Sequence, residues 1–155
     1  MHEFIRMKKQ TFKVKNTQVN LADLKAMLKQ QSEVSAAYLF GSAAKGESVV
    51  NDLDILVLLH RNVDKHQVYF NLTHKLSQIT NISEDLIDLL FFDLEEANLT
   101  VLTKAVNKGI LLKNDDPEYL SNAIDNFSRY LLDNEAMIIR AKRLRQERLE
   151  VFCET

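Results

Sequence analysis

The chain has 155 residues, of which 46% are hydrophobic and 27% charged, and this composition indicates one globular domain with one core. Its net charge of −2 at pH 7 excludes a protein that coats nucleic acid, so no direct DNA binding is expected. Its one cysteine, Cys153, excludes an internal disulfide framework and a cysteine zinc cluster. No apolar run approaches the ~20 residues of a membrane span, and no signal-type stretch begins the chain, which predicts a cytoplasmic protein without a membrane anchor.

The first half of the chain predicts short strands and one helix. Residues 11–15 alternate weakly between apolar and polar, as in a short strand or an ordered tail. Asn20 is a suitable N-cap for a helix with Leu21, Leu24, Met27 and Leu28 on one face. Two apolar strands follow, at 35–40 and 53–59.

The second half predicts a helix over 68–79, a strand over 86–92, a helix over 94–107 that ends at Gly109 as its C′ residue, and a strand over 110–112. Asp116-Pro117 then opens a helix. Because neither Gly nor Pro occurs after this point, we expect one helix of about 30 residues or two helices with a tight join. The alternation of strands and helices predicts an α/β (α+β) fold with a mixed sheet.

The long helical segment carries an apolar stripe from Leu120 to Ala141 that includes Ile138. The stripe either packs in the core or pairs with another chain in an oligomer. The run from Arg140 to Arg148 is basic, as are the first fifteen residues with Arg6, Lys8, Lys9, Lys13 and Lys15, while 84–96 is acidic. Such runs are usually solvated faces. Alternatively, the acidic middle between basic ends could hold a cation beside an anionic ligand, and the run from Arg140 to Arg148 could contact ATP, RNA or an acidic partner.

The segment from residue 36 to 57 contains the residues most suited to chemistry. Gly41 follows the first apolar strand and permits a sharp turn and a close approach of phosphate. Ser42 offers a hydroxyl and begins a helical turn whose free N–H groups attract anions. Lys45 adds positive charge one turn later, and Gly46 would end the turn. The alternative is an ordinary strand-to-helix turn with Ser42 as its cap.

Three aspartates predict a metal site. Asp52 and Asp54 are two residues apart, so in a strand they point to the same face. Two carboxylates there can bind Mg²⁺ through oxygen. Asp88 is our candidate for a third ligand, because we expect it to be buried in the apolar run 86–90, where a charged side chain requires a partner. The alternative for Asp52 and Asp54 is a solvated strand start, and for Asp88 it is a salt bridge.

The order strand, Gly-Ser, nine residues, Asp-x-Asp, strand resembles the signature of polymerase β superfamily nucleotidyltransferases. The short chain and the later Ile87-Asp88-Leu89-Leu90 strand resemble the minimal nucleotidyltransferases (MNT), which are often encoded beside a HEPN-domain protein and act as antitoxins. The resemblance covers about residues 21–113 and is looser over the C-terminal helix. It implies one nucleotidyltransferase domain over 1–155, with a motif core at 21–113 and a helical extension at 116–152.

The resemblance also implies roles for individual residues. Gly41 and Ser42 match the phosphate-holding pair, Asp52 and Asp54 match the metal-binding pair, and Asp88 matches the third acid, although Asp85 and Asp93 lie nearby. It implies two Mg²⁺ ions, ATP as substrate and transfer of AMP to a tyrosine of the HEPN toxin. Here nine residues separate Gly-Ser from Asp-x-Asp, whereas the family more often has ten, which leaves the shape of the pocket open.

Three functions are compatible with this pattern. The first is the adenylyltransferase antitoxin, and the second is an antitoxin that neutralises its partner by occlusion alone. The third is a small-molecule enzyme of the aminoglycoside nucleotidyltransferase type, which usually carries extra helical bulk. His60, His66 and His74 lack metal-ligand spacing and are expected at the surface or half-buried. Tyr38 and Phe40 are expected in the core.

Overall fold

A computed structural model describes residues 10–95 and 98–154, without the side chains of 136, 138 and 152–154. Arg6, Lys8, Lys9, the acidic residue at 96 and the side chains of Ile138 and Cys153 therefore lie outside the described part. The chain divides into two compact units, Met1–Leu120 and Ser121–Thr155. The first unit holds all the strands of the described residues, and the second consists of helix.

Seven strands occur within the described residues: β1 (Thr11–Val14), β2 (Thr17–Asn20), β3 (Val34–Phe40), β4 (Val49–Val50), β5 (Leu53–Leu59), β6 (Ile87–Phe91) and β7 (Ile110–Asn114). Four of them form a sheet in the order β6-β5-β3-β7. Strand β3 is antiparallel to both β5 and β7, while β5 and β6 are parallel. The predicted mixed sheet is therefore confirmed, and its strands lie close to the predicted positions.

The other three strands form a smaller sheet in the order β2-β1-β4. Strands β1 and β2 form an antiparallel hairpin, and β1 pairs in parallel with β4. The sequence predicted β1 but neither of its partners. Strand β2 is only four residues long and β4 only two, which is too short to show a periodic pattern.

The helices of the described residues are α1 (Leu21–Lys29), the single turn α2 (Gly41–Ala44), α3 (Lys65–Thr80), α4 (Leu99–Lys108) and α5 (Pro117–Glu154), with a 3-10 turn at Glu84–Leu86. Asn20 caps α1 as predicted, because its side chain accepts a hydrogen bond from the Ala22 N–H at 2.9 Å. Asp116 likewise accepts from Tyr119 N–H at 3.1 Å at the start of α5. No helix in the described part of the chain combines the length and apolarity of a membrane span.

Two details of α4 differ from the prediction. The helix begins at Leu99 rather than at residue 94, because the Asn98 side chain accepts from the N–H groups of Thr100 and Val101. Gly109 ends the helix with φ −72 and not in the left-handed conformation of a C′ glycine. Glycine is needed there because a Cβ would overlap the carbonyl oxygen of Ala105.

The two faces of the four-stranded sheet carry different residues. One face contributes the odd-numbered apolar residues of β5 and β6 to the main core, where they pack with α1, α3 and the hairpin. Since side chains alternate along a strand, Asp54 and Asp88 lie on the opposite face. There α4 packs against β3, with Leu102 and Ala105 fully buried.

Helix α5 is a single uninterrupted helix of 38 residues. This resolves the choice between one helix and two in favour of one. Beyond residue 134, every residue through 151 whose side chain is described is exposed, including Met137 at 71% and the basic residues from Arg140 to Arg148.

Candidate active site

The turn after β3 begins with a glycine that no other residue could replace without strain. Gly41 has φ 72, a left-handed conformation that disfavours side chains. A Cβ at Gly41 would also overlap the Oδ2 atom of Asp54. The Asp54 carboxylate therefore lies directly against the Gly41 backbone, so the Gly-Ser turn and the Asp-x-Asp strand share one site.

Helix α2 is a single turn that places Ser42 and Lys45 beside this contact. Ser42 is half-buried, and Lys45 is exposed at the end of the turn, where its backbone N–H donates to the Gly41 carbonyl at 3.3 Å. Gly46 follows with φ 87, after the end of the helical turn, as the sequence predicted. Ser42 is therefore next to the glycine that contacts Asp54, and the Lys45 side chain is exposed to solvent.

Asp54 and Asp88 are direct neighbours across the parallel strands β5 and β6. Their side chains share a hydrogen bond. Asp52 precedes β5 by one residue and is exposed. Its charge acts on Asp54, so all three predicted acids are electrostatically coupled.

The Asp54 carboxyl group has a strongly perturbed pKa. Burial is the largest cause, because it disfavours the charged form, and the negative charges of Asp52 and Asp88 act in the same direction. The hydrogen bond to Asp88 favours the protonated form as well. Together these effects raise the pKa of Asp54 from 3.8 to about 7. Such a shift in a cluster of like charges is typical of functional sites.

Asp88 differs from its prediction in one respect. We expected it to be buried among apolar neighbours, but it is exposed, because β6 is an edge strand of the sheet. Its exposure does not separate it from Asp54. Of the nearby alternatives, Asp85 lies in the 3-10 turn and Asp93 pairs with Lys65 at 3.3 Å. Asp88 is the acid that the sheet register places beside Asp54.

Other candidates from the sequence lie outside this cluster. His60 stacks on Tyr119, with ring centroids 6.3 Å apart, and His74 contacts Glu84 at 3.1 Å. Phe40 is buried as predicted. Tyr38 is also buried, and burial raises the pKa of its hydroxyl group.

The acids suit a cation whose coordination shell is completed by oxygen atoms of the substrate. Within residues 10–95 and 98–154, no three His, Cys, Asp or Glu side chains are arranged as a ready ligand set for a metal ion. Magnesium in nucleotide sites, however, usually takes one or two carboxylates and completes its shell with phosphate oxygens and water. The concentration of negative charge around Asp54 is what a divalent cation would neutralise. The donor set therefore fits Mg²⁺ bound together with a nucleotide.

The sequence pattern singled out the acids and the glycine turn as candidates but did not predict the hairpin beside them. Strand β1 pairs with β4, which ends two residues before Asp52. No local pattern predicts this contact, because it joins residues about 36 positions apart through backbone groups alone.

The chain is similar to known proteins in both sequence and fold. The family model described as Polymerase beta, Nucleotidyltransferase matches residues 22–118. This match includes the Gly-Ser turn and all three aspartates. A search of curated proteins found no relative.

Solved structures with a similar fold come from toxin–antitoxin complexes. A chain of a toxin–antitoxin crystal structure with AMP-PNP aligns with a TM-score of 0.59 and 22% identity, covering 80% of this chain and 99% of that chain. A second match is to a complex of tri-AMPylated Shewanella oneidensis HEPN toxin with MNT antitoxin, with a TM-score of 0.53, 21% identity and coverage of 79% and 95%. At these identities the likeness establishes the fold.

Proposed function

We propose that this chain, which belongs to the polymerase β nucleotidyltransferase family, is an antitoxin that transfers AMP from ATP to a tyrosine of a HEPN-domain toxin. The observation that carries the proposal is the contact of Gly41 with Asp54 beside Asp88, since it joins the Gly-Ser turn to paired acids. The similar structures, one with AMP-PNP and one with an AMPylated HEPN toxin, support this choice of substrate and partner.

The residues divide into two roles in this reaction. Gly41 and Ser42 hold the phosphates of ATP, because the glycine admits them to the backbone and the serine hydroxyl donates to an oxygen. Asp52, Asp54 and Asp88 supply the carboxylates that would hold Mg²⁺, and the exposed Lys45 adds positive charge at the margin. When bound, magnesium neutralises phosphate charge and stabilises the attacking and leaving oxygens.

The transfer itself exchanges one P–O bond for another. The tyrosine oxygen of the partner bonds to the α-phosphorus of ATP, the bond from that phosphorus to the β-phosphate oxygen breaks, and pyrophosphate leaves. The hydroxyl proton passes to a carboxylate. The side chains of Asp52 and Asp88 are both exposed, and we assign this role to Asp88 because it lies at the edge of the sheet, where a large partner can approach.

The test is transfer of label from α-labelled ATP in the presence of Mg²⁺ and the HEPN-domain protein encoded beside this chain. Wild type should label the partner, and Asp54→Asn should not. Asp133→Asn, which changes an exposed acid of α5, is the matched control and should retain full transfer. Absence of label with wild type, or equal labelling by the Asp54 variant, would refute the proposal.

Neutralisation by occlusion alone is a second candidate. The observation in its favour is the exposed C-terminal part of α5, a surface with which the chain could cover a partner. In this case the chain would cover its partner without chemistry, and Asp54→Asn would still protect cells from the toxin. Loss of protection in that variant, with its binding to the toxin intact, would favour the enzyme.

A further inference from the structure

The β1–β2 hairpin is joined to the backbone segment that leads into Asp52. The N–H of Lys13 donates to the Ser48 carbonyl at 2.9 Å, and the N–H of Lys15 donates to the Val50 carbonyl at 2.8 Å. Both acceptors lie in the segment between Gly46 and Asp52. The hairpin therefore fixes the chain two residues before the first of the paired acids.

The hairpin is itself held firmly. Phe12, Val14 and Val19 are buried in the main core, where Val50 is buried as well. Lys13 and Lys15 occupy the alternate, exposed positions. The hairpin thus connects the hydrophobic core to the site segment, and the two lysines provide the connection through their backbone groups.

The segment is also held at both ends. At its start the N–H groups of Gly46 and Glu47 donate to the carbonyls of Ala43 and Ser42 at 3.2 and 3.4 Å, and at its end Leu53 is fully buried in β5. Between these ends, Val49 is 57% exposed. Asp52 is exposed too. The family match begins at residue 22, so the hairpin lies outside the part of the chain that defines the family.

We infer that the β1–β2 hairpin is a positioning element that sets where Asp52 stands relative to Asp54, and that Lys13 and Lys15 act in it through their backbone N–H groups. The inference rests on the proposed function. It predicts that loosening the β1–β4 connection weakens binding of a magnesium nucleotide and lowers kcat, because the ligating carboxylate is displaced.

The backbone geometry offers a sharp test with a matched control. Lys13 and Gln18 are opposite each other in the hairpin. The Lys13 N–H points away from β2, toward β4, so Lys13 and Gln18 form a non-hydrogen-bonded pair of the antiparallel hairpin. In such a pair the backbone groups of both residues point outward, so the Gln18 N–H points to the free edge of β2. Lys13→Pro therefore removes the bond to Ser48 and spares the hairpin, whereas Gln18→Pro removes no ladder bond. Lys13→Ala removes the charge and keeps the N–H.

The full-length chain is titrated with AMP-PNP and Mg²⁺ by calorimetry, and transfer to the partner is measured separately. Lys13→Pro should weaken binding about tenfold and lower kcat, as loss of a supporting contact does, while Gln18→Pro and Lys13→Ala stay near wild type. Equal binding by the two proline variants would overturn the inference. So would an equal loss in Lys13→Ala, since the effect would then be that of the charge.

Unfolding in urea is measured on each variant so that a global effect is recognised. If Lys13→Pro unfolds far more easily than Gln18→Pro, Val14→Ala is used in place of Lys13→Pro. Its control is Val34→Ala, which removes the same atoms from the same core at the opposite end of β3 from Gly41. A selective loss of nucleotide affinity in Val14→Ala supports the inference, and equal affinities refute it.

The two proposals fail in different ways. Binding of Mg²⁺ and AMP-PNP that weakens in Lys13→Pro, without transfer by wild type, contradicts the adenylyltransferase and leaves the positioning role standing. A wild type that binds no nucleotide refutes both proposals.

Discussion

Replacing Asp54 by asparagine should stabilise the metal-free protein at neutral and alkaline pH. Burial and the charges of Asp52 and Asp88 raise the pKa of Asp54 to about 7, so ionising this group within the fold is unfavourable. Asparagine resembles the protonated acid in shape, keeps the close approach to Gly41, and can donate a hydrogen bond to Asp88.

The sign and size of the effect follow from linkage. Because the pKa of Asp54 in the folded state lies above its ordinary value of 3.8, wild type loses stability as the pH rises from about 4 to about 7, and the loss is complete above pH 7. Discounting the shift for partial solvent exposure leaves roughly 1–2 kcal/mol. In a chain of this size this corresponds to about 2–8 °C in Tm.

The measurement is thermal unfolding with chelator present, at several pH values from about 4 to about 8.5. The gain of Asp54→Asn over wild type should be near zero at the acid end, grow through neutrality and then level off. Asp133→Asn, at an exposed position on α5, should show no such growth. A gain that does not change with pH, or a net loss at pH 8, would refute the argument that Asp54 is electrostatically strained.

Three other substitutions test single contacts. Gly41→Ala should lower the free energy of unfolding in urea by about 1–3 kcal/mol, because of the left-handed φ and the overlap with Asp54. It should also abolish transfer, and an unchanged stability would contradict this prediction. Ser42→Ala should raise KM for ATP about tenfold, as expected for a lost charged hydrogen bond, with little change in Tm. Lys113→Met should lower the free energy of unfolding by about 1–3 kcal/mol, because the buried ammonium group donates to the Gln31 carbonyl at 2.7 Å and pairs with Asp115 at 3.0 Å. A smaller loss would mean that these contacts are dispensable for stability.

Elements with a long periodic pattern or a capping residue were predictable from the sequence. Strand β5 lies at the predicted 53–59, and Asn20 caps α1 as expected. The start of α4 was predicted five residues early, because the residues before Asn98 are as compatible with a helix as those after it. Among the described residues, the hydrogen bonds of the Asn98 side chain mark the boundary.

The spacing of the acids along the chain was only partly informative. Asp52 and Asp54 were predicted to share one face of a strand, but β5 begins at Leu53, so Asp52 lies in the bend before the strand and the alternation of side chains does not apply to it. The burial of Asp88 was predicted wrongly, because an apolar run indicates a strand without indicating whether that strand lies at the edge of its sheet. The contact of Gly41 with Asp54 and the pairing of β1 with β4 depend on tertiary packing, which single-sequence patterns do not encode.

The coupled acids allow one further measurement, which is the number of protons released when a cation binds. With a pKa of about 7, the Asp54 carboxyl holds about 0.9 of a proton at pH 6 and about 0.1 at pH 8. A metal ligand must be deprotonated, so binding of Mg²⁺ with AMP-PNP should release close to one proton from this group at pH 6 and very little at pH 8. Calorimetry in buffers of different ionisation enthalpy counts these protons, and Asp54→Asn corrects for those released by the nucleotide. If wild type and the variant release equal numbers at pH 6, Asp54 is not a ligand, and the proposed magnesium site is wrong.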